Sequence, residues 1–147
     1  MEIEFVVPGR PIPQARPRVT GNGRHTYTPR RSVEYRQAVA LCAKSAMRGK
    51  EMLTGAVSVR VRFVFAVPTS WRKEKRTEAA CGRLAHLSRP DIDNLYKAVT
   101  DACTGIVYAD DAQIVEAKIS KGYAGRLPEG AYVTVEETGQ WTRKKYP

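Results

Sequence analysis

The chain has 147 residues, 42% of them hydrophobic, and its 25 Lys and Arg against 15 Asp and Glu give a formal net charge of +10. This length predicts a single domain over residues 1–147 with a real core, and no apolar run approaches the ~18 residues of a membrane span. Cys42, Cys81 and Cys103 are too widely spaced to indicate a disulfide framework or a zinc site. Because the N-terminus also lacks the features of a secretory signal, we expect a cytoplasmic protein without membrane contact.

The N-terminal half is predicted to contain two strands and one helix, separated by a basic loop. Residues 2–7 alternate between acidic and apolar side chains, as a half-buried strand does. Residues 8–31 hold five of the nine prolines and six arginines without periodicity, which indicates a long functional loop. Ser32 is the expected N-cap of a helix over 33–48, and 56–67 is the clearest strand, apolar on both faces in its second half.

The C-terminal half is predicted to contain one short helix, one long helix and two strands. In chain order these are a short helix over 72–81, a helix from Asp91 to Gly105, and strands over 113–121 and 131–137. We expect residues 122–130 to form a hairpin loop between the two strands and the basic tail 141–147 to be flexible. The fold class is therefore α+β, with about four strands in a mixed or antiparallel sheet packed by two main helices.

Charge is distributed unevenly along the chain. Residues 1–50 hold ten basic and three acidic side chains, residues 51–90 hold eight and three, and residues 91–147 hold seven and nine. The basic part suits a polyanion such as nucleic acid, because Lys and Arg release counterions from phosphates; an ordinary solvated basic face is the simpler alternative. The candidate phosphate contacts are Arg16, Arg18, Arg30, Arg72, Lys73, Lys75 and Arg76.

Two short acidic segments stand out in this basic chain: 89–97 (Arg-Pro-Asp-Ile-Asp-Asn-Leu-Tyr-Lys) and 109–113 (Ala-Asp-Asp-Ala-Gln). Two carboxylates about 4 Å apart repel by roughly 4 kcal/mol at an effective dielectric of 20, whereas a helix N-terminus stabilises a negative charge by only about 0.3–1 kcal/mol. A divalent cation would offset this repulsion. Oxygen ligands without nearby His or Cys favour Mg²⁺, or alternatively Mn²⁺, over zinc.

A metal site in a polyanion-binding protein points to phosphoryl chemistry. Lys97 follows Asp93 by one helical turn, where it can stabilise charge that develops on the transition state. For the third acid, Asp111, to lie near the other two, the chain after the helix must fold back along it. Residues 92–104 span about 18 Å as a helix, and the six steps to Asp111 span at most about 20 Å. We therefore expect 106–110 to run nearly extended, or Asp111 to complete a site across a subunit boundary.

Each acid also has a purely structural explanation. Asp91 is a good N-cap, Asp93 complements the helix dipole, and residues 110–111 suit a turn. Lys97 and Asp101 are spaced as a surface ion pair of little energetic value. A non-catalytic DNA-binding protein, in which the basic loops alone contact DNA, therefore remains an alternative.

Both acidic segments closely resemble the RusA family of Holliday junction resolvases, as do residues 13–18 (Pro-Gln-Ala-Arg-Pro-Arg) and 27–29 (Tyr-Thr-Pro). The resemblance implies a homodimeric, Mg²⁺-dependent endonuclease that cuts four-way DNA junctions by paired, symmetric nicks, in a phage or prophage setting of DNA recombination and repair. Asp110 matches a neighbouring acid of this family. The family's essential acids and catalytic lysine would fall on Asp91, Asp93, Asp111 and Lys97.

A second nuclease pattern uses some of the same residues. Asp91 with Glu116 and Lys118 fits the Pro-Asp, then Glu-x-Lys spacing of restriction-type nucleases. That architecture normally carries its first acid on a strand, whereas Asp91 here is predicted to begin a helix. The RusA-like assignment is therefore preferred.

Overall fold

The computed structural model describes residues 1–138 of the chain. In chain order the elements are β1 (Glu2–Pro8), β2 (Arg18–Val19), β3 (Thr26–Tyr27), α1 (Arg30–Ala46), β4 (Val57–Phe65), α2 (Lys73–Ala80), α3 (Ile92–Cys103), one turn of 3₁₀ helix (Asp111–Gln113), β5 (Ile114–Tyr123) and β6 (Gly130–Glu137). The predicted tail 141–147 lies outside the described residues. No helix in the described part is long and apolar enough to cross a membrane.

Four strands form one mixed sheet in the order β1, β6, β4, β5, with β4 and β5 parallel and the other neighbours antiparallel. The predicted α+β class is confirmed, and of the two predicted sheet types, mixed or antiparallel, the mixed sheet is the one present. The predicted hairpin between the last two strands is wrong, because β4 lies between β5 and β6. The reason is burial: Ala131, Val133 and Val135 are buried and place β6 inside the sheet, whereas Glu116 and Lys118 are exposed. Charged residues suit the edge position of β5.

The core lies between one face of the sheet and the two long helices. Alternate residues of β4 from Val57 to Phe65 are buried together with Tyr35 and Val39 of α1 and with Leu95 of α3. Val64, on the other face, is also buried, so the second half of β4 is apolar on both faces as predicted. The two long helices cover this face, and the opposite face carries Ser58, Arg60 and Arg62 in the first half of β4.

The first long helix begins earlier than predicted. Pro29 occupies the N-cap position of α1, and Ser32, the predicted cap, lies inside the first turn. Ser32 has a tertiary role instead: its buried hydroxyl donates to the carbonyl of Pro13 at 3.0 Å and accepts from the amide of Ala15 at 3.3 Å. These contacts attach the basic loop 8–31 to α1, and the loop contains the short β2–β3 hairpin.

The second half follows the predicted helices closely. The helix predicted over 72–81 is α2, and the helix predicted to begin at Asp91 is α3, with Asp91 as its N-cap residue. Gly105 adopts a φ of 83° two residues after the end of α3, a left-handed conformation that favours glycine.

Candidate active site

Two acids lie at the beginning of α3 with their side chains exposed. Asp91 has extended backbone angles, and its carbonyl accepts the first helical hydrogen bond, from the amide of Leu95 at 3.2 Å. Its carboxylate makes no capping hydrogen bond, so the structural explanation of Asp91 as a simple side-chain cap is not supported. Asp93 lies in the first turn, where the helix dipole favours a negative charge. Both carboxylates are accessible to an external ligand.

The segment before Asp91 is held in place by a lysine of the edge strand. The ammonium group of Lys121 donates to the carbonyls of Ser88 at 2.7 Å and Pro90 at 3.0 Å. Hydrogen bonds from a charged donor are among the stronger ones in proteins. Lys121 therefore positions the start of α3, a role that no local sequence pattern could reveal because its partners are about thirty residues away.

The basic loop also contacts α3 directly. The amide of Gln14 donates to the carbonyl of Asn94, in the first turn of the helix, at 2.9 Å. With the Ser32 contacts, this bond fixes the loop against both long helices. The proline-rich and arginine-rich segment is thus brought next to the acids.

The connection from α3 to Asp111 is compact, so the prediction that residues 106–110 run nearly extended is wrong. The amide of Val107 donates to the carbonyl of Cys103 at 2.9 Å, and the amide of Gly105 donates to the carbonyl of Tyr108 at 2.7 Å. The fully buried Tyr108 donates its hydroxyl to the carbonyl of Thr100 at 3.0 Å. Burial of this ring drives the turn, because an extended strand would leave it in solvent.

Gln113 holds the next turn through four hydrogen bonds. Its side-chain oxygen accepts from the amides of Ala109 at 2.9 Å and Asp110 at 3.0 Å, and its amide group donates to the carbonyls of Leu53 at 3.0 Å and Gly55 at 2.9 Å. The Asp110 carboxylate accepts from the amide of Ala112 at 2.9 Å, which completes a capping box with Gln113.

Gln113 was not among the predicted site residues, although the Asp-x-x-Gln spacing of a capping box is visible in the sequence. Asp110, predicted as a less certain metal ligand, has a structural use for its carboxylate in the same box. Between them these two side chains define where the Asp111 turn lies.

Asp111 lies beside the middle of α3 in its own subunit. It lines an open cleft of about 380 Å³ together with Tyr96 and Thr100 of that helix. Burial raises the pKa of the Tyr96 hydroxyl, and the nearby Asp111 carboxylate raises it further. A subunit boundary is therefore not needed for Asp111 to reach α3.

The three acids do not converge on one point. Tyr96 and Thr100 stand about 5 and 10 Å along the helix axis from Asp93, at 1.5 Å per residue, so Asp111 faces the helix beyond its first turn. Within residues 1–138, no three His, Cys, Asp or Glu side chains are grouped closely enough to hold a metal ion. The donors have the hard oxygen chemistry that suits Mg²⁺, but they form no preassembled centre.

Lys97 lies on the exposed edge of α3, one turn after Asp93. Its ammonium group is 3.4 Å from the Asp101 carboxylate, with 60% of the lysine side chain exposed. The predicted surface ion pair is therefore present, and a pair this exposed and this long contributes little stability. Lys97 can exchange Asp101 for a phosphate at small cost.

The predicted phosphate contacts lie in two separate regions. Arg16 and Arg18 are exposed in the basic loop, and Arg30 is bound to Glu34 at 2.7 Å. The second group belongs to the region around α2, where Lys75 lies 4.0 Å over the ring of Trp71. That group comprises Arg72, Lys73, Lys75 and Arg76, all exposed.

The restriction-type arrangement does not form. Asp91 begins a helix, and the strand register pairs Glu116 with Ser58 and Lys118 with Arg60, on the sheet face that the helices leave uncovered. The first acid of that architecture lies on a strand, so the fold does not reproduce it, although Glu116 also lines the cleft of Asp111.

Comparison with known proteins identifies the family. A family model described as "Endodeoxyribonuclease RusA" matches residues 8–136. The chain belongs to the RusA endodeoxyribonuclease family. A similar protein is "Uncharacterized protein YqaN" of Bacillus subtilis (strain 168), 40% identical over 126 residues that cover 83% of this chain and 88% of the relative. The name of this relative gives no activity, so the functional assignment rests on the family match.

The RusA match includes the acids and the elements that position them. It covers the basic loop, α3 and the 3₁₀ turn, as well as Lys121 and Gln113. An endodeoxyribonuclease hydrolyses phosphodiester bonds within DNA, which agrees with exposed carboxylates in a basic chain. The sequence resemblance to this family is thereby confirmed.

Proposed function

We propose that this RusA-family protein is a Mg²⁺-dependent, structure-selective endonuclease that resolves four-way DNA junctions by paired, symmetric nicks, in DNA recombination and repair in a bacterial cytoplasm, with a phage or prophage origin. The observation that carries the proposal is the family match over a motif whose candidate metal ligands Asp91, Asp93 and Asp111 are exposed. Within residues 1–138, the ion pairs are Arg30 with Glu34 and Lys97 with Asp101, and neither involves Asp91, Asp93 or Asp111.

Each candidate catalytic residue has a proposed role. Asp91, Asp93 and Asp111, which form no preassembled centre, would hold Mg²⁺, or Mn²⁺ in its place, once the ion brings them together. When bound, such an ion lowers the pKa of a coordinated water and offsets charge on the phosphate. Lys97 contributes its positive charge to the phosphate oxygens as negative charge develops there. Lys121 and Gln113 act through the main chain that they position.

A homodimer is part of this proposal, because two opposed nicks need two sites related by a twofold axis. Support comes from β5, an edge strand whose Val115 is 65% exposed. Antiparallel pairing of two β5 strands about Ala117 would place Glu116 of each copy opposite Lys118 of the other. Opposite charges directly across an antiparallel pair are stabilising, and like charges are destabilising.

The dimer is tested by reversing these charges. In light-scattering measurements of mass, Glu116→Lys and Lys118→Glu should each weaken the dimer, and the double variant should restore it. A double variant that dissociates as readily as the single variants would contradict pairing through β5.

The activity is tested with a synthetic four-way junction. Wild-type protein with Mg²⁺ should nick opposing strands, Asp93→Asn should bind the junction without cutting it, and Glu51→Gln, an exposed acid between α1 and β4, should cut like wild type. Binding by the wild type without any metal-dependent nicking would instead support the alternative, a non-catalytic DNA-binding protein.

Metal binding has its own readout, independent of cutting. Paramagnetic Mn²⁺ should broaden the backbone NMR signals of Asp93 and Asp111 in the wild type. The broadening at both positions should be strongly reduced in Asp93→Asn, because the proposal requires one bound ion to bring the two acids together. Broadening confined to Asp93 would remove Asp111 from the metal site.

A further inference from the structure

Four arginines from three separate segments line one cleft beside the start of α3. The cleft has a volume of about 350 Å³, and neither aspartate nor glutamate lines it. Arg10 and Arg18 come from the basic loop, Arg31 from the first turn of α1, and Arg89 from the segment before α3. Only Arg18 was a predicted phosphate contact, so this arginine cleft is a feature that sequence inspection missed.

The four guanidinium groups have no acidic partner in the part of the chain that the structure describes. Its ion pairs are formed by Arg30 with Glu34 and by Lys97 with Asp101. Like charges around one cleft raise the free energy of the folded state unless an anion offsets them. Arginine forks match phosphate oxygens in pairs, which makes phosphate the anion of choice for such a site.

The cleft walls are held by buried contacts. Ser32, which also lines the cleft, is 4% exposed and binds the carbonyl of Pro13 and the amide of Ala15. The bond from the Gln14 amide to the Asn94 carbonyl attaches the same loop segment to α3. The arginines therefore extend from a main chain that is already anchored on both helices.

The position of the cleft identifies the phosphate that it would hold. Arg89 and Pro90 line it, and Asp91 is the next residue, so the cleft and the candidate catalytic acids share one surface. We infer that the arginine cleft binds a phosphodiester group of the DNA strand next to the phosphate that is cut. This inference rests on the proposed nuclease function and adds a specific phosphate subsite to it.

The test measures junction binding without divalent metal, so that no cutting occurs. A variant with Arg10→Ala, Arg31→Ala and Arg89→Ala is compared with wild type over a range of KCl concentrations. Loss of one phosphate contact should reduce the slope of log K against log salt by roughly 0.9, and affinity at low salt should fall at least about tenfold. The matched control is Arg48→Ala, an exposed arginine beyond the opposite end of α1, which should retain the wild-type slope.

A charge-conserving variant separates electrostatics from a folding defect. Replacing the same three arginines by lysine should restore the salt slope while recovering only part of the affinity, because lysine lacks the paired geometry. An unchanged slope in the alanine variant would overturn the inference. Thermal denaturation with inorganic phosphate, at matched ionic strength, distinguishes a second case. If phosphate stabilises the wild type but not the alanine variant, while the salt slope of DNA binding is the same for both proteins, the cleft is a site for free phosphate. That result would also overturn the inference.

Failure of the nuclease proposal is distinguishable from failure of this inference. The nuclease proposal fails if wild-type protein with Mg²⁺ leaves the junction intact, whatever the salt slopes are. The subsite fails on the metal-free slopes alone, even if the wild type cuts. The two experiments share the junction but not the readout.

Discussion

Replacing Gln113 by alanine should damage both stability and cutting, because this side chain holds the Asp111 turn. The substitution removes four hydrogen bonds, each worth about 0.5–1.5 kcal/mol. Water can replace the bonds to the exposed amides of Ala109 and Asp110, but Leu53 and Gly55 are buried. We therefore expect a loss of about 2–3 kcal/mol in the free energy of unfolding and a fall of about 5–10 °C in Tm.

Cutting by Gln113→Ala should fall by about 10- to 100-fold, because a catalytic group displaced by about 1 Å can cost that much. Junction affinity should stay near the wild-type value, since no basic side chain is changed. Urea denaturation and single-turnover cleavage check the two parts separately. A variant that unfolds within about 0.5 kcal/mol of wild type, or that cuts at the wild-type rate, would refute the role assigned to Gln113.

Gln113→Glu provides a more specific version of the same test. At neutral pH its carboxylate would face the two carbonyls of Leu53 and Gly55, so its folded-state pKa should lie above the unfolded value of about 4.3. A group with a raised pKa contributes stability below the unfolded pKa and loses it as pH rises through the folded pKa. The variant should therefore be closest to wild type near pH 4 and weakest at pH 7, whereas the deficit of Gln113→Ala should not depend on pH.

Three further substitutions examine the other anchors. Tyr108→Phe removes one buried hydrogen bond to the Thr100 carbonyl, which keeps its bonds from Thr104. Urea denaturation should therefore show a loss of only about 1 kcal/mol in the free energy of unfolding. A loss above about 3 kcal/mol would mean that packing of the ring is also disturbed. Ser32→Ala should cost about 1–2 kcal/mol and increase protease cleavage within 8–31, and unchanged proteolysis would show that the loop is held elsewhere. Lys121→Met should lower the cutting rate more than junction affinity, and an equal loss of both would make Lys121 a DNA contact rather than a positioning residue.

Helices and strands with a regular repeat of hydrophobic residues could be predicted from the sequence, because their own side chains determine them. The stripe of Leu95 and Val99 defines α3, and alternating valines define β4. Which strands become neighbours depends instead on which of them bury enough apolar side chains to occupy the central positions of the sheet. Two strands separated by nine residues look like a hairpin, but buried Val133 and Val135 favour insertion of β6 between β1 and β4.

The other differences between prediction and structure involve side chains that can make either a local or a long-range hydrogen bond. Serine at the start of a helix is a common cap, yet Ser32 bonds to Pro13 and Ala15, which no local pattern reveals. For the candidate site, the shared helix of Asp91, Asp93 and Lys97 follows from spacing alone. The place of Asp111 does not, because it depends on burial of the Tyr108 ring and on bonds from Gln113 to carbonyls 58 and 60 residues away.

The pairing of charges explains why so basic a chain can keep these acids available. In residues 1–138 the two ion pairs involve Glu34 and Asp101, and the start of α3 is positioned by main-chain carbonyls bound to Lys121 rather than by a cation on Asp91 or Asp93. An arginine placed against these carboxylates would neutralise them and exclude an external cation. Separate placement of the arginines around the neighbouring cleft leaves one surface with an unpaired negative patch beside an unpaired positive one. A metal ion would neutralise the negative patch, and a phosphate of the DNA strand would neutralise the positive patch. Metal and DNA should therefore bind with positive cooperativity.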